Sequence, residues 1–161
     1  MRALATLLTL ALLVSCASKP EQHSVKTASP EPASDPARPT LAQQKMCAEQ
    51  AKKAFDDDEQ RSRQSGSKGT LSDYTSHFDP EKNICYVRIN SISATVTSSI
   101  VYDAFERRLF ASYGWVNANG KKFWEVKPME CKVLPPKIEP ITCQSDDEFN
   151  ALVEKWFGVS E

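Results

Sequence analysis

The clearest signal in the chain is a change of hydrophobic period. Phe149, Leu152, Val153, Trp156 and Phe157 recur at steps of three and four residues, the stripe of an amphipathic helix. Ser145-Asp146-Asp147-Glu148 precedes it as a Ser-x-x-Glu capping box, and Gly158 follows as a left-handed stop. A second helix is predicted from about Leu41 to Asp57, because Thr40-Leu41-Ala42-Gln43 is a Thr-x-x-Gln box and Cys47, Ala51, Ala54 and Phe55 follow at helical spacing.

Between these stretches the period is two. Cys85, Val87 and Ile89 alternate with Tyr86, Arg88 and Asn90, and the segment from Tyr74 to Phe78 joins them across Asp79-Pro80-Glu81-Lys82-Asn83, which reads as a hairpin. Asn119-Gly120 is the strongest turn dipeptide, suited to the positive φ of a type I′ loop. A two-residue loop centred there sets Trp115 opposite Trp124, Tyr113 opposite Val126 and Val116 opposite Phe123. One face would then carry Leu109, Ala111, Tyr113, Trp115, Trp124 and Val126, and the other Phe110, Ser112, Gly114, Glu125 and Lys127. The first face is the expected partner of both helical stripes. A further strand from about Ser98 to Phe105 would enter through Glu106-Arg107-Arg108. The predicted fold is α+β: an antiparallel meander of about four to five strands flanked by an N-terminal and a C-terminal helix.

Composition divides the 161 residues unevenly. All fourteen aromatic residues and four of the five cysteines lie from position 41 onward, so residues 41–161 are the expected folded domain. Five of the ten prolines fall between Ala17 and Thr40, a stretch with no aromatic residue and a single branched aliphatic, Val25. Such a composition does not bury enough apolar surface to offset its ordering entropy, and it is expected to be a disordered tether. Twenty Lys and Arg against twenty-one Asp and Glu leave a formal charge of −1, which argues against a nucleic-acid partner.

Arg2 is followed by an apolar run from Ala3 to Val14, too short to span a bilayer core that needs about 20 residues and shaped like a secretory signal. Its exit, Leu13-Val14-Ser15-Cys16, resembles the lipobox of bacterial lipoprotein precursors. The resemblance implies a signal peptide over residues 1–15, diacylation of the Cys16 thiol, cleavage before it and acylation of the new amine. Residues 16–40 would then form the acylated cysteine and its tether, with the membrane as a partner through the lipid on Cys16. Ala17 and Ser18 follow without the Asp that in this class often signals inner-membrane retention, so if the host is Gram-negative the implied address is the periplasmic face of the outer membrane. Tyr74-Thr75-Ser76-His77-Phe78 with Asn83-Ile84-Cys85-Tyr86-Val87 also resembles hairpins of uncharacterised small exported bacterial proteins, over under a tenth of the chain, and implies no activity.

In an exported domain Cys47, Cys85, Cys131 and Cys143 are expected to form two disulfides, Cys47 with Cys85 and Cys131 with Cys143 among the three connectivities. Zinc ligation lacks Cys-x-x-Cys spacing and has one histidine in the domain, so no metal or other cofactor is expected. Asp56-Asp57-Asp58-Glu59 would oppose the macrodipole at a helix C-terminus and is read as a solvated helix end, followed by a mobile loop from Gln60 to Gly69. His77 has no visible acid–base partner, and no catalytic residue is assigned. The hydroxyl-rich run from Ser91 to Ser99 is a candidate polar groove.

The function expected from these features is a lipid-anchored binding or structural domain of the cell envelope. Its ligand would be an envelope protein, peptide or glycan, sought first at exposed aromatics such as Tyr86 and Phe110. A narrower alternative is an inhibitor of a cell-wall hydrolase such as lysozyme, inserting the loop from Asp56 to Gly69. An enzyme would require His77 and acidic residues to converge.

Overall fold

A computed structural model describes residues 38–66, 69–116, 120–121 and 125–160. Helix α1 spans Leu41–Gln64, strands β1 to β4 span Leu71–Asp79, Ile84–Ile92, Val96–Asp103 and Leu109–Val116, β5 and β6 span Glu130–Val133 and Ile141–Thr142, and α2 spans Asp146–Phe157. The six strands form one antiparallel sheet in sequence order, a meander with a helix at each end of the chain segment. Among the described residues no helix is long and apolar enough to cross a membrane. The expected signal peptide, Cys16 and most of the expected tether lie outside the described residues.

Both helix starts form as their sequences dictate. The Gln43 N–H donates to Thr40 Oγ1 at 3.2 Å while the Thr40 N–H donates to Gln43 Oε1 at 2.9 Å. At α2 the Glu148 N–H donates to Ser145 Oγ at 3.2 Å, but the Glu148 carboxylate reaches one residue further back, to the Gln144 N–H at 2.8 Å. Gly158 closes α2 at φ 64°, its N–H on the Glu154 carbonyl.

The two helices cover opposite faces of the sheet, not one. On β2 the odd positions Cys85, Val87 and Ile89 pack with Cys47, Ala51 and Ala54 of α1. The even position Tyr86 joins Val101, Tyr113, Val133 and the α2 residues Phe149, Val153 and Phe157. The small side chains on α1 let that helix lie close to the strands, and Phe55 stacks on Tyr74 with centroids 4.8 Å apart.

Helix α1 runs seven residues beyond its expected end, so the acidic run lies inside it. Lys52 and Lys53 sit four residues before Asp56 and Asp57, at 2.7 and 3.3 Å, and Arg61 and Arg63 pair back to Asp58 and Glu59. Carboxylates flanked by cations at this spacing support the helix through the macrodipole's unfavourable end. The sheet adds a second tie: Tyr102 donates its hydroxyl proton to Asp58 at 2.6 Å, and Arg107 reaches Asp57 at 3.0 Å. The expected loop from Asp56 to Gly69 is therefore helical through Gln64.

The first hairpin has the expected register, with Tyr74 opposite Ile89 and Phe78 opposite Cys85. The Asn119-Gly120 hairpin does not. Tyr113 lies opposite Cys131, not Val126, and Gly114 lies opposite Glu130. Gly120 has the positive φ of 71° that such a turn wants, while Asn119, Phe123 and Trp124 lie outside the described residues. Pro128 lacks a ladder donor, whereas β5 offers an alternation that buries Cys131 and Val133 against the α2-side core. Val126 packs against that core without being a strand partner.

A register shift between Val101 and Tyr102 inverts the next expectation. Leu109, read as inward, is 44% exposed, and Phe110, read as outward, is 5% exposed. Phe110 meets Tyr86 and Phe157 at centroid distances of 5.0 and 5.4 Å, and Tyr86 meets Phe157 at 5.2 Å. Tyr86 is fully buried, so neither aromatic is the exposed contact expected of it.

Both expected disulfides are present, Cys47 with Cys85 and Cys131 with Cys143. They close loops with sequence separations of 38 and 12 residues. Loop-closure entropy assigns about 4 kcal/mol to the longer and about 3 to the shorter. Replacing Cys47 and Cys85 together by Ala is expected to lower the urea midpoint more than replacing Cys131 and Cys143, and alkylation of the unreduced protein is expected to label none of the four.

Among the described residues Arg88 is the one fully buried cation. Its Nε donates to Ser99 Oγ and to Asn90 Oδ1, each at 2.9 Å, and Nη2 donates to Asn150 Oδ1 of α2 at 2.7 Å. Asn150 in turn donates to Asp146 at 3.1 Å, and the guanidinium lies 5.7 Å from the Phe149 ring centroid. Truncation strands several buried acceptors. Arg88→Ala is expected to cost about 3 kcal/mol in urea unfolding, against under about 0.5 for Ser72→Ala at the sheet margin.

Candidate functional site

The α2 face of the sheet ends in a cleft of about 820 Å³. Four separate segments line it. The β1–β2 turn brings Lys82 and the start of β2 brings Ile84. The β3–β4 turn brings Arg108, ahead of Leu109 and Phe110, and the β5–β6 connection brings Leu134, Pro136 and Lys137. The last turn of α2 brings Lys155 and Trp156. The floor is apolar and the rim carries four cations, with no carboxylate among the described lining residues.

Three of the four cations are held over aromatic rings. The Arg108 guanidinium lies 4.9 Å from the Phe110 centroid, Lys155 Nζ 5.4 Å from Trp156 and Lys82 Nζ 5.9 Å from Tyr86. Lys82 is the one with an ionic partner among the described residues, Asp79. Asp79 also accepts from the N–H groups of Glu81 and Lys82, both at 3.0 Å. Among the described residues Trp156 Nε1 and the Tyr86 hydroxyl are buried without a hydrogen-bond partner. Burial pushes the Tyr86 phenol above its ordinary pKa.

The cleft is also where the backbone is least relaxed. Asn83, Arg107 and Lys137 have φ of 52°, 59° and 62°, and they are the described non-glycine residues in the left-handed region. Asn83 and Arg107 neighbour Lys82 and Arg108, and Lys137 is itself on the rim. For residues with long side chains this conformation costs about 1 kcal/mol or more.

The candidates named from sequence lie elsewhere. His77 is exposed, and its ring lies 3.2 Å from where a Cβ on Gly158 would stand, so it shields the C-terminal cap of α2. It also borders a hollow of about 260 Å³ with Pro39, Gln44, Ser76 and Phe78, where no described residue supplies a carboxylate. Among the described residues no group of three His, Cys, Asp or Glu could hold a metal ion. The hydroxyl-rich run does line a groove, of about 490 Å³, where Ser91, Ser93, Thr95 and Ser98 meet Ser62 and Thr70. Ser91 is engaged with Ser72 at 3.1 Å and Ser93 with the Val96 carbonyl at 3.1 Å, and none of the described lining residues is charged.

No family model, curated protein or solved structure matches the chain. The site's chemistry therefore has to be read from its own side chains. Lys82, Arg108, Lys137, Lys155 and Trp156 were not singled out as a site in the sequence. Each occupies a turn or a helix end, and nothing in local spacing joins them.

The Asp79–Lys82 pair sets a pH signature for this corner. Burial alone would raise the Asp79 carboxyl, but the hydrogen bond and charge of Lys82 and the two N–H donors hold it below its ordinary 3.8. A depressed carboxyl contributes stability that is complete above the unfolded value and is lost as pH falls through the folded one. Asp79→Asn is expected to cost about 1 kcal/mol at pH 6. Urea midpoints taken at pH 6, 4 and 2.5 are expected to show the gap between the two proteins closing below pH 4.

Proposed function

We propose that this chain is a lipid-anchored binding domain of the bacterial cell envelope, held through Cys16 on a flexible tether, and that its ligand site is the cation-rimmed cleft. The carrying observation is that cleft. Four cations from four segments converge on an apolar floor. Convergent polar groups over a concave apolar surface are the usual make-up of a ligand site. The lipobox-like exit of the apolar run supports the anchor, and two disulfides suit an oxidising compartment.

The hydrolase-inhibitor reading has less to stand on, because most of the segment meant to insert into an active site is built into α1. The ligand that the cleft favours is anionic. A neutral glycan would need open aromatic faces, and the rings of Phe110 and Trp156 each carry a cation of the protein's own on one side.

Both halves of the reading have an expected outcome. Mass spectrometry of the membrane fraction is expected to find an acylated peptide beginning at Cys16, and an unmodified start at Met1 would overturn the anchor. A photo-crosslinking residue at Lys137 is expected to capture an envelope component that the same residue at Glu49, exposed on α1, does not. Equal capture at both positions would remove the cleft as the site.

A further inference from the structure

We infer that the cleft binds a single acyl chain with an anionic head, a monoacyl carboxylate or phosphate, the chain lying on the floor and the head among Arg108, Lys137 and Lys155. This rests on the cleft being a binding site and names its occupant.

The floor decides the body of the ligand. Ile84, Leu109, Leu134 and Pro136 are aliphatic, and of these Leu109 stands 44% exposed at a bulge, a contact the protein leaves open. The two rings in the wall already bear cations at 4.9 and 5.4 Å, so a flat ligand meets charge on those faces where it would need a π surface. A flexible chain needs neither face. It gains from every CH₂ it brings out of water.

The rim decides the head. Lys82 is matched by Asp79, whereas Arg108, Lys137 and Lys155 make no ion pair with a described residue. Three unmatched cations around one mouth repel one another until an anion enters.

Lys137 adds an independent observation. Of the three strained residues, Asn83 tolerates the left-handed region by its chemistry, and Arg107 is held by Asp57 and Tyr102 at 3.0 and 2.9 Å. Lys137 is exposed and makes neither an ion pair nor a hydrogen bond with a described residue, so packing gives no reason for a long side chain at φ 62°. Glycine would be the relaxed choice there. A charge needed at the mouth of the cleft supplies the reason.

The test uses the whole chain after Cys16, which contains every described residue, titrated calorimetrically below the critical micelle concentration of each probe. Dodecanoate and dodecyl phosphate are expected to bind one per chain, and whichever binds more tightly identifies the head. Octanoate is expected to bind at least tenfold more weakly than dodecanoate, since each added CH₂ contributes roughly a three- to fourfold gain. Neutral dodecyl maltoside is also expected to lose at least tenfold. Arg108→Gln with Lys155→Gln is expected to cost tenfold or more in dodecanoate affinity. Lys137→Gly is expected to weaken dodecanoate severalfold while leaving the thermal midpoint unchanged or raised, which separates a lost contact from a lost fold.

Equal affinity for the neutral and anionic probes, or anion binding that ignores all three substitutions, would overturn the inference. An acidic peptide without an acyl chain that binds in a Lys137-dependent way, with no binding of dodecanoate, would overturn the acyl occupant and leave the cleft as a site. Failure of every anionic probe together with equal crosslinking at Lys137 and Glu49 would remove both.

Discussion

The structure depends on β2 being buried on both faces at once. Cys85 through Ile89 are five consecutive buried residues, so each alternate side chain needs its own cover. An antiparallel strand with one wet face would need a single helix. This one needs two, and the chain supplies one at each end of the meander. The odd positions go to the small side chains of α1 and are stapled there by Cys47–Cys85. The even positions go to the aromatic stripe of α2. Among them stands Arg88, a charge that survives burial because Ser99, Asn90 and Asn150 accept from it. A one-residue slip of β2 would carry Arg88 to the α1 side among Cys47, Ala51 and Ala54, where no such acceptors stand, so the polar network fixes register as well as filling space.

Features decided within a few residues were legible in the sequence. The cap of each helix, the stripe of α2, the first hairpin and both disulfides follow from residue type at short spacing. What was not legible depended on partners far along the chain. The end of α1 is set by Lys52, Lys53, Arg61 and Arg63 around the acidic run, and by Arg107 and Tyr102 from across the sheet. A reading of the acidic run alone sees only the macrodipole cost. Likewise Asn119-Gly120 is a good local turn, yet pairing follows where Cys131 and Val133 find a buried face. The bulge that exchanges Leu109 and Phe110 leaves no mark in an alternating pattern, because both residues are apolar.

The cleft is the extreme case of this second kind. Its cations come from three inter-strand connections and one helix end, all delivered to the same end of the sheet by the meander. Rigid strands place mobile side chains at their turns, which is where binding residues usually stand. Lys155 has an additional structural reason to be there, since a cation in the last turn of α2 complements the macrodipole. Lys137 has none, and the contrast between the two locates the functional demand more sharply than either charge alone.

The net charge of −1 conceals this arrangement because a sum discards position. The carboxylates of Asp56 to Glu59 are matched by Lys52, Lys53, Arg61, Arg63 and Arg107 on the α1 face of the sheet, whereas the unmatched cations of the cleft lie on the other face, beside α2. Long-range steering of a polyanion needs a net field, and a chain whose charges sum to −1 offers little beyond a Debye length of about 8 Å. At the mouth of the cleft the local balance differs from the total, since Arg108, Lys137 and Lys155 make no ion pair with a described residue. The total therefore argues against a nucleic-acid partner while leaving a small anion strongly favoured. An apolar floor restricts that anion further, to one that carries a chain worth burying.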